Sequence, residues 1–298
     1  MYETVSKINY SELLFYGNLT PIIIDGLDGT GKETSSRLIA DNLSSKGYNS
    51  LIVSYPQYNT YWGKIIKSFL IEDGENFDLS LKERMLIYAL NRLESVQSIK
   101  KTVEENYSKH SQFIIFDRFS TSNLLTYSYF TKDTPDIDKK DLSEVYGYMQ
   151  SIDSLFLSEL RIPHVPIMIP TLDPKSSSEL LKNDNKTNSK DSYEKLDVQK
   201  KAYEVYRFIS QYVDKGRFEF IPIATSEGII SPHLVANTIL AKSMDKVIKK
   251  VEGAGMISVL ELEGNILDKD TVKLISRLLD LYGTDRLIDL YRKCLVGG

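Results

Sequence analysis

Five short apolar runs rich in β-branched residues punctuate the chain at long intervals: Pro21–Asp25, Ser50–Tyr55, Gln112–Asp117, Val165–Leu172 and Phe218–Ile223. Runs of this length, apolar on both faces, are what the strands of a parallel sheet covered on both sides require. Between them the apolar positions recur at helical spacing. This predicts helices over Lys32–Leu43, with Leu38, Ile39 and Leu43 facing inward, then Gly63–Leu70, Ser80–Glu105, Ser143–Leu160, Asp197–Lys215 and Ser231–Lys250. Ser80 suits the N-cap of its helix. The alternation defines an α/β fold of three layers, a five-stranded parallel sheet flanked by helices.

Two segments break the alternation. Thr131–Asp141 is polar with a central proline and reads as a surface loop, and Asp173–Ser192 is rich in Ser, Asn, Asp and Lys. The latter is either a solvated linker or a lid. Beyond Gly253–Met256, a glycine-containing hinge, helical stripes return through Val272, Ile275, Leu279 and Tyr282, and again through Leu287, Ile288 and Tyr291. The expected organisation is an N-terminal extension over residues 1–20, a main domain over 21–250 with residues 173–192 as its lid, and a mostly helical C-terminal extension over 251–298.

Composition narrows the class. The 298 residues carry 37 Lys plus Arg against 41 Asp plus Glu, a net charge of −4, with 42% hydrophobic and 26% charged residues. That balance fits a globular protein and disfavours a polybasic binder of nucleic acid or membrane surfaces. No apolar run approaches the roughly 18 residues of a membrane span, and the N-terminus lacks a signal-peptide pattern. The single Cys294 excludes an internal disulfide framework and a thiolate zinc site. A cytoplasmic protein with no membrane or nucleic-acid partner is expected.

The sharpest chemical signal is Gly26-Leu27-Asp28-Gly29-Thr30-Gly31-Lys32-Glu33-Thr34, placed between the first strand and the first helix. It fits G-x-x-x-x-G-K, a loop whose backbone N–H groups curl around phosphate oxygens while the lysine reaches the β- and γ-phosphates. Residues Gly26, Gly29, Thr30, Gly31, Lys32, Glu33 and Thr34 are thus the expected ATP-binding set, in a P-loop NTPase fold. The usual Ser or Thr after the lysine, which offers a hydroxyl to Mg²⁺, is replaced by Glu33. That leaves Thr34 and the carboxylate of Asp28 as candidate metal ligands.

At the end of the third strand stand Asp117 and Arg118, at the carboxyl edge of the sheet beside the P-loop, where a guanidinium can fork onto a second phosphate. The base-reading motifs of GTPases are missing. Tyr88 and Arg92, four apart on a helix, share a face and offer a ring to stack and a forked donor.

Taken together, Tyr55-Pro56-Gln57-Tyr58, Tyr88-Ala89-Leu90-Asn91-Arg92, Asp117-Arg118-Phe119-Ser120-Thr121-Ser122-Asn123 and Asp191-Ser192-Tyr193-Glu194 resemble, in order, the signature motifs of the thymidylate kinase family. The resemblance spans roughly Pro21 to Met244. It implies transfer of the ATP γ-phosphoryl to dTMP with Mg²⁺, by a homodimeric nucleoside monophosphate kinase of dTTP biosynthesis. Lys32, Asp28 and Arg118 would be catalytic. Asp28 and Arg118, together with Tyr58, Tyr88, Arg92, Asp117, Ser122 and Asn123, the last in a loop, would hold the acceptor, with Tyr193 and Glu194 closing over the deoxyribose.

The departures from the family pattern are specific. Gln57 stands where an acceptor-gripping arginine is common, and either Thr126 or Tyr127 falls where a tyrosine excludes a ribose 2′-hydroxyl. Gly29 occupies the P-loop position of a catalytic arginine, and the lid offers only lysines, among them Lys182, Lys186 and Lys190. Two alternatives stay open: a kinase for a modified deoxyuridine monophosphate or a deoxynucleoside, and a catalytically weakened nucleotide-binding assembly protein.

Overall fold

A computed structural model describes residues 19–71, 79–106, 112–160, 165–172, 192–226 and 228–243. The anticipated lid up to residue 191 and the C-terminal extension lie outside the described residues, as does nearly all of the N-terminal extension.

The sheet consists of β1 (Leu19–Ile24), β2 (Asn49–Ser54), β3 (Gln112–Asp117), β4 (Ile167–Thr171) and β5 (Phe218–Pro222), all parallel, in the order β2-β3-β1-β4-β5. Each predicted strand is present, to within two residues at either end. Successive side chains of a strand point to opposite faces, and here both faces are covered. Ile22 and Ile24 of β1, with Phe113 and Ile115 of β3, pack under Ile39 and Leu43 of α1 (Lys32–Ser45). Ile23, Ile114 and Phe116 face the larger core beneath α3 (Leu81–Glu94) and α6 (Lys139–Glu159). The near-continuous apolar character of β1 and β3 follows from this double burial.

Besides the start of α6 at Lys139, inside the expected Thr131–Asp141 loop and ahead of Ser143, the helical layer departs from the sequence expectation in three further places. The single helix expected over Ser80–Glu105 is two, α3 and α4 (Val96–Asn106), broken at Ser95. The Ser95 hydroxyl donates to the Arg92 carbonyl at 2.6 Å and meets the buried Tyr55 hydroxyl at 2.7 Å, so a side chain takes over a backbone acceptor where the chain turns. The start of α3 is as expected, with Ser80 and Glu83 closing a reciprocal capping box. Second, Asn123 opens a helix, α5 (Asn123–Thr131), rather than sitting in a loop. Third, α7 (Leu196–Phe208) ends in a π turn at Ile209–Val213 instead of continuing to Lys215.

One close approach fixes the wall beside β2. Helix α2 (Tyr61–Ile71) begins so near the Tyr55–Tyr58 turn that a Cβ on Gly63 would lie 1.8 Å from the Gln57 carbonyl oxygen. Only hydrogen fits there.

Candidate active site

The phosphate loop forms where β1 ends. Gly26, Gly29 and Gly31 all adopt positive φ (112°, 72° and 76°), the region that side chains disfavour. At Gly26 the constraint is also steric, because a Cβ would stand 3.0 Å from Ile169 Cγ2 on the neighbouring strand. Thr30 closes the loop by donating its hydroxyl to the Leu27 carbonyl at 2.9 Å.

Lys32 is almost fully buried and folds its ammonium back over the loop, donating to the Leu27 carbonyl and lying 3.8 Å from Asp28. Burial and the Arg118 charge pull its pKa down to about 8 against the attraction of Asp28 and Asp117. Glu33 and Thr34 point outward on α1, both exposed, and Glu33 pairs with Arg37 at 2.6 Å. The structure therefore holds Lys32 at the loop and leaves Thr34 on the solvent side of its helix.

Arg118 is positioned by the β1–β3 pairing. Asp117 ends β3 in register with Ile24, and the Arg118 backbone N–H donates to the Ile24 carbonyl at 2.8 Å. Arg118 has φ 69°, and no other described residue except glycine has a positive φ. Such a conformation costs of order 1–3 kcal/mol and persists only when surrounding structure imposes it. The turn aims the guanidinium back at the P-loop, where it pairs with Asp28 Oδ1. Burial pushes the Asp28 carboxyl upward, but Arg118 and Lys32 outweigh it and hold the group below the ordinary carboxylate range. The same contact holds Arg118 charged in spite of its own burial.

Asp28 and Arg118 form one end of an open crevice. Tyr58, Tyr88, Arg92, Ser122 and Tyr193 line the rest of it. Tyr58 is the exposed rim; Tyr88 stands edge-on to Phe69, and Tyr193 leans on Tyr129. Asn123 is buried at the start of α5, and its amide nitrogen and oxygen have no hydrogen-bond partner among the described residues. Thr126, three residues on and so on the same side of α5, likewise keeps a buried hydroxyl unpaired. Glu194, half-buried, ends the short turn that carries Tyr193. Lys182, Lys186 and Lys190 lie outside the described residues.

Four buried polar residues that the sequence did not single out build this site. Asp25, at the root of the P-loop, accepts from the Gly26 N–H at 2.8 Å and from the hydroxyls of Thr121 and Ser122, tying the loop to the segment after Arg118. Burial raises its pKa against those three hydrogen bonds. Asn91 clamps the Tyr55–Tyr58 turn, accepting from the Gln57 N–H at 2.9 Å and donating to the Thr60 hydroxyl at 2.8 Å. Asp153 on α6 holds Arg92 through two bonds of 2.7 and 2.8 Å. Gln199 on α7 bonds Asp28 through both its backbone and its carboxylate.

A glycine loop, a buried lysine at the start of a helix and a carboxylate-paired arginine on the adjacent strand end define a P-loop α/β protein with an arginine-lined crevice beside its glycine loop. Comparison with known proteins specifies the class further. The sequence model described as thymidylate kinase matches residues 24–138. A probable thymidylate kinase of Thermococcus onnurineus is 27% identical over 62% of this chain and 81% of its own length, and one from Methanococcus aeolicus is 27% identical over 76% and 97%. The human thymidylate kinase matches at 27% identity over 35% of this chain, a stretch spanning about half of its own length, as with several archaeal relatives. The structure of a thymidylate kinase from Candida albicans superposes with a TM-score of 0.52 at 21% identity, covering 79% of this chain and 93% of that one, which shows a shared fold. Over these stretches the chain is similar to proteins of the thymidylate kinase family, in sequence across residues 24–138 and in fold across most of its length.

Proposed function

We propose that this protein is a dTMP kinase, transferring the γ-phosphoryl group of ATP to the phosphate of dTMP to give ADP and dTDP. The observation that carries the reading is the placement of Arg118 across from Lys32, with Asp28 between them, at the mouth of the Tyr88–Arg92 crevice. Two anions meet there head to tail, one on the P-loop and one on Arg118.

In this mechanism an oxygen of the acceptor phosphate attacks the γ-phosphorus in line, and the bond from that phosphorus to the β,γ-bridging oxygen breaks, leaving ADP. No protein nucleophile takes part. The protein supplies position and charge. The P-loop amides and Lys32 hold the donor; Arg118 exchanges part of its contact with Asp28 for the acceptor phosphate. Arg92, oriented by Asp153, presents donors to the carbonyl edge of the base, Tyr88 covers its face, and the unpaired amide of Asn123 offers a complementary donor and acceptor.

A Mg²⁺ ion fits the hard-oxygen donors present: Asp28 and Asp117 flank the cradle and would hold it with phosphate oxygens and water, whereas the exposed Thr34 would not. When bound, the ion neutralises charge developing on the transferred group. The P-loop lacks an arginine at Gly29, and a lysine has no planar fork to replace it, so slow turnover is part of the reading. The reading includes a homodimer in the cytoplasm with no nucleic-acid partner. No described helix is long and apolar enough to cross a membrane.

The test is ADP release and product formation from ATP with dTMP, dUMP, 5-hydroxymethyl-dUMP, dCMP, UMP and thymidine. Preferential formation of dTDP, abolished by Lys32→Ala, supports the proposal. Preference for a modified deoxyuridine monophosphate or a nucleoside, or nucleotide binding without turnover, overturns it.

A further inference from the structure

Gln199 makes a contact that packing alone does not call for. It lies on α7, 171 residues beyond Asp28. Its side-chain oxygen accepts from the Asp28 backbone N–H at 2.9 Å, and its nitrogen donates both to Asp28 Oδ2 at 2.9 Å and to the Tyr193 carbonyl at 2.7 Å. The amide orientation is forced: reversing it would set an N–H against the Asp28 N–H and an oxygen against two acceptors. The residue is only 1% exposed, so water does not compete for these bonds.

We propose that Gln199 is a positioning residue for phosphoryl transfer, locking the backbone and carboxylate of Asp28 and tethering them to the turn that carries Tyr193. The inference rests on the dTMP kinase reading of the same crevice and deepens it.

Asp28 has two carboxylate oxygens with separate duties. Oδ1 faces Arg118 and Lys32; Oδ2 is held by Gln199. With Oδ2 released, the carboxylate is free to rotate about its last torsion, and Oδ1 leaves the line between the two cations that meet the two phosphates. The backbone bond matters equally. An N–H committed to Gln199 is not available to a ligand phosphate, so residue 28 is a point at which the loop is anchored to the protein, as Gly26 is through Asp25. The third bond joins this anchor to Tyr193, a wall of the acceptor crevice. One side chain thus registers the donor loop against the acceptor pocket, and misplacement of reacting groups by about 1 Å can cost on the order of a hundredfold in rate.

The experiment compares the full chain with Gln199→Met, which keeps the length of the side chain and removes its hydrogen bonds, and Gln199→Glu, which keeps the acceptor for the Asp28 N–H but sets a carboxylate against Asp28. Hydrogen exchange of the P-loop peptide, melting temperature, and kcat and KM for ATP and dTMP are measured. In Gln199→Met, exchange at the Asp28 amide should accelerate by about tenfold or more. Turnover per folded molecule should fall roughly 10- to 100-fold, with KM for ATP within about threefold of the parent. Gln199→Glu should keep the amide protected and still lose turnover. A merely structural role would lower the melting temperature and the folded fraction, leaving kcat per folded molecule intact; that result overturns the proposal. So does unchanged exchange in a folded Gln199→Met, or parental kcat in Gln199→Glu should the Met variant not fold. If the parent chain phosphorylates none of the acceptors, the dTMP kinase reading fails, while the exchange experiment still decides whether Gln199 anchors the loop.

Discussion

Arg92 and Asp153, 61 residues apart in the chain, face each other through a two-point contact of 2.7 and 2.8 Å, with the two side chains only 2% and 0% exposed. Arg92 lines the crevice and Asp153 stands behind it, so the pair belongs to both the packing and the wall of the crevice. Breaking a buried pair by removing one partner costs about 3–5 kcal/mol, because the survivor is left uncompensated. Asp153→Ala should therefore lower stability by that order in denaturant titration. It should also raise KM for dTMP, because Arg92 loses its orientation. The double change Arg92→Met with Asp153→Leu separates the two roles: stability should recover and acceptor binding should not.

Lys32 supplies a pH dependence. Its protonated form is the one that attracts phosphate, and its pKa in the free protein is about 8. As pH rises through that value the ammonium is lost, so kcat/KM for ATP should be full below it and decline above it, far short of the ~10.4 of an ordinary lysine. Lys32→Arg, which does not titrate in this range, should show lower activity but no such alkaline limb. A profile flat to pH 10 in the parent would contradict the placement of Lys32.

Arg118 couples an unfavourable backbone to a charge. Arg118→Ala should depress kcat/KM for the acceptor by about 100-fold or more while leaving ATP binding close to the parent. Arg118→Gly should be equally inactive, yet more stable than the alanine variant by about 1 kcal/mol, because glycine accepts the positive φ without penalty. Equal melting temperatures would show that the turn relaxes in the variants.

Glu33 stands where a metal-binding hydroxyl is usual, and its pairing with Arg37 is solvent-exposed. Such pairs contribute about 0–1 kcal/mol. Glu33→Ser should therefore change stability little and, because position 33 points outward beside Thr34, leave the Mg²⁺ concentration needed for half-maximal turnover unchanged, read from a metal titration at fixed ATP.

The sheet, the P-loop and the start of α3 were legible because each rests on a local signal: doubly apolar strands, glycines at required positive φ, a capping residue at Ser80. What escaped were contacts made across the fold by single polar residues set in apolar stripes. Asp153 lies between Met149 and Phe156 on the buried side of α6, and Gln199 shares its face with Ala202 and Tyr206. A polar residue at a core position was the available clue, but its partner was 61 residues away in one case and 171 in the other. Helix α5 was missed for the opposite reason. Leu124 through Ser128 are all buried, so no polar face marks the helical period. Thr126 and Tyr127, the two candidates for the position beside the sugar, have different surroundings. Thr126 shares the Asn123 side of α5, whereas Tyr127 is bound up with Asp141 on α6.

The absence of any side chain at Gly63 makes the α2 side of the crevice a fixed boundary. With a helix backbone resting directly on the Gln57 carbonyl, that boundary has no slack to take up. A shift in preference toward bulkier or smaller acceptors would therefore arise from exchanging the residues that project into the space, such as Tyr88 or Leu125, rather than from sliding a partition that is already in backbone-to-backbone contact.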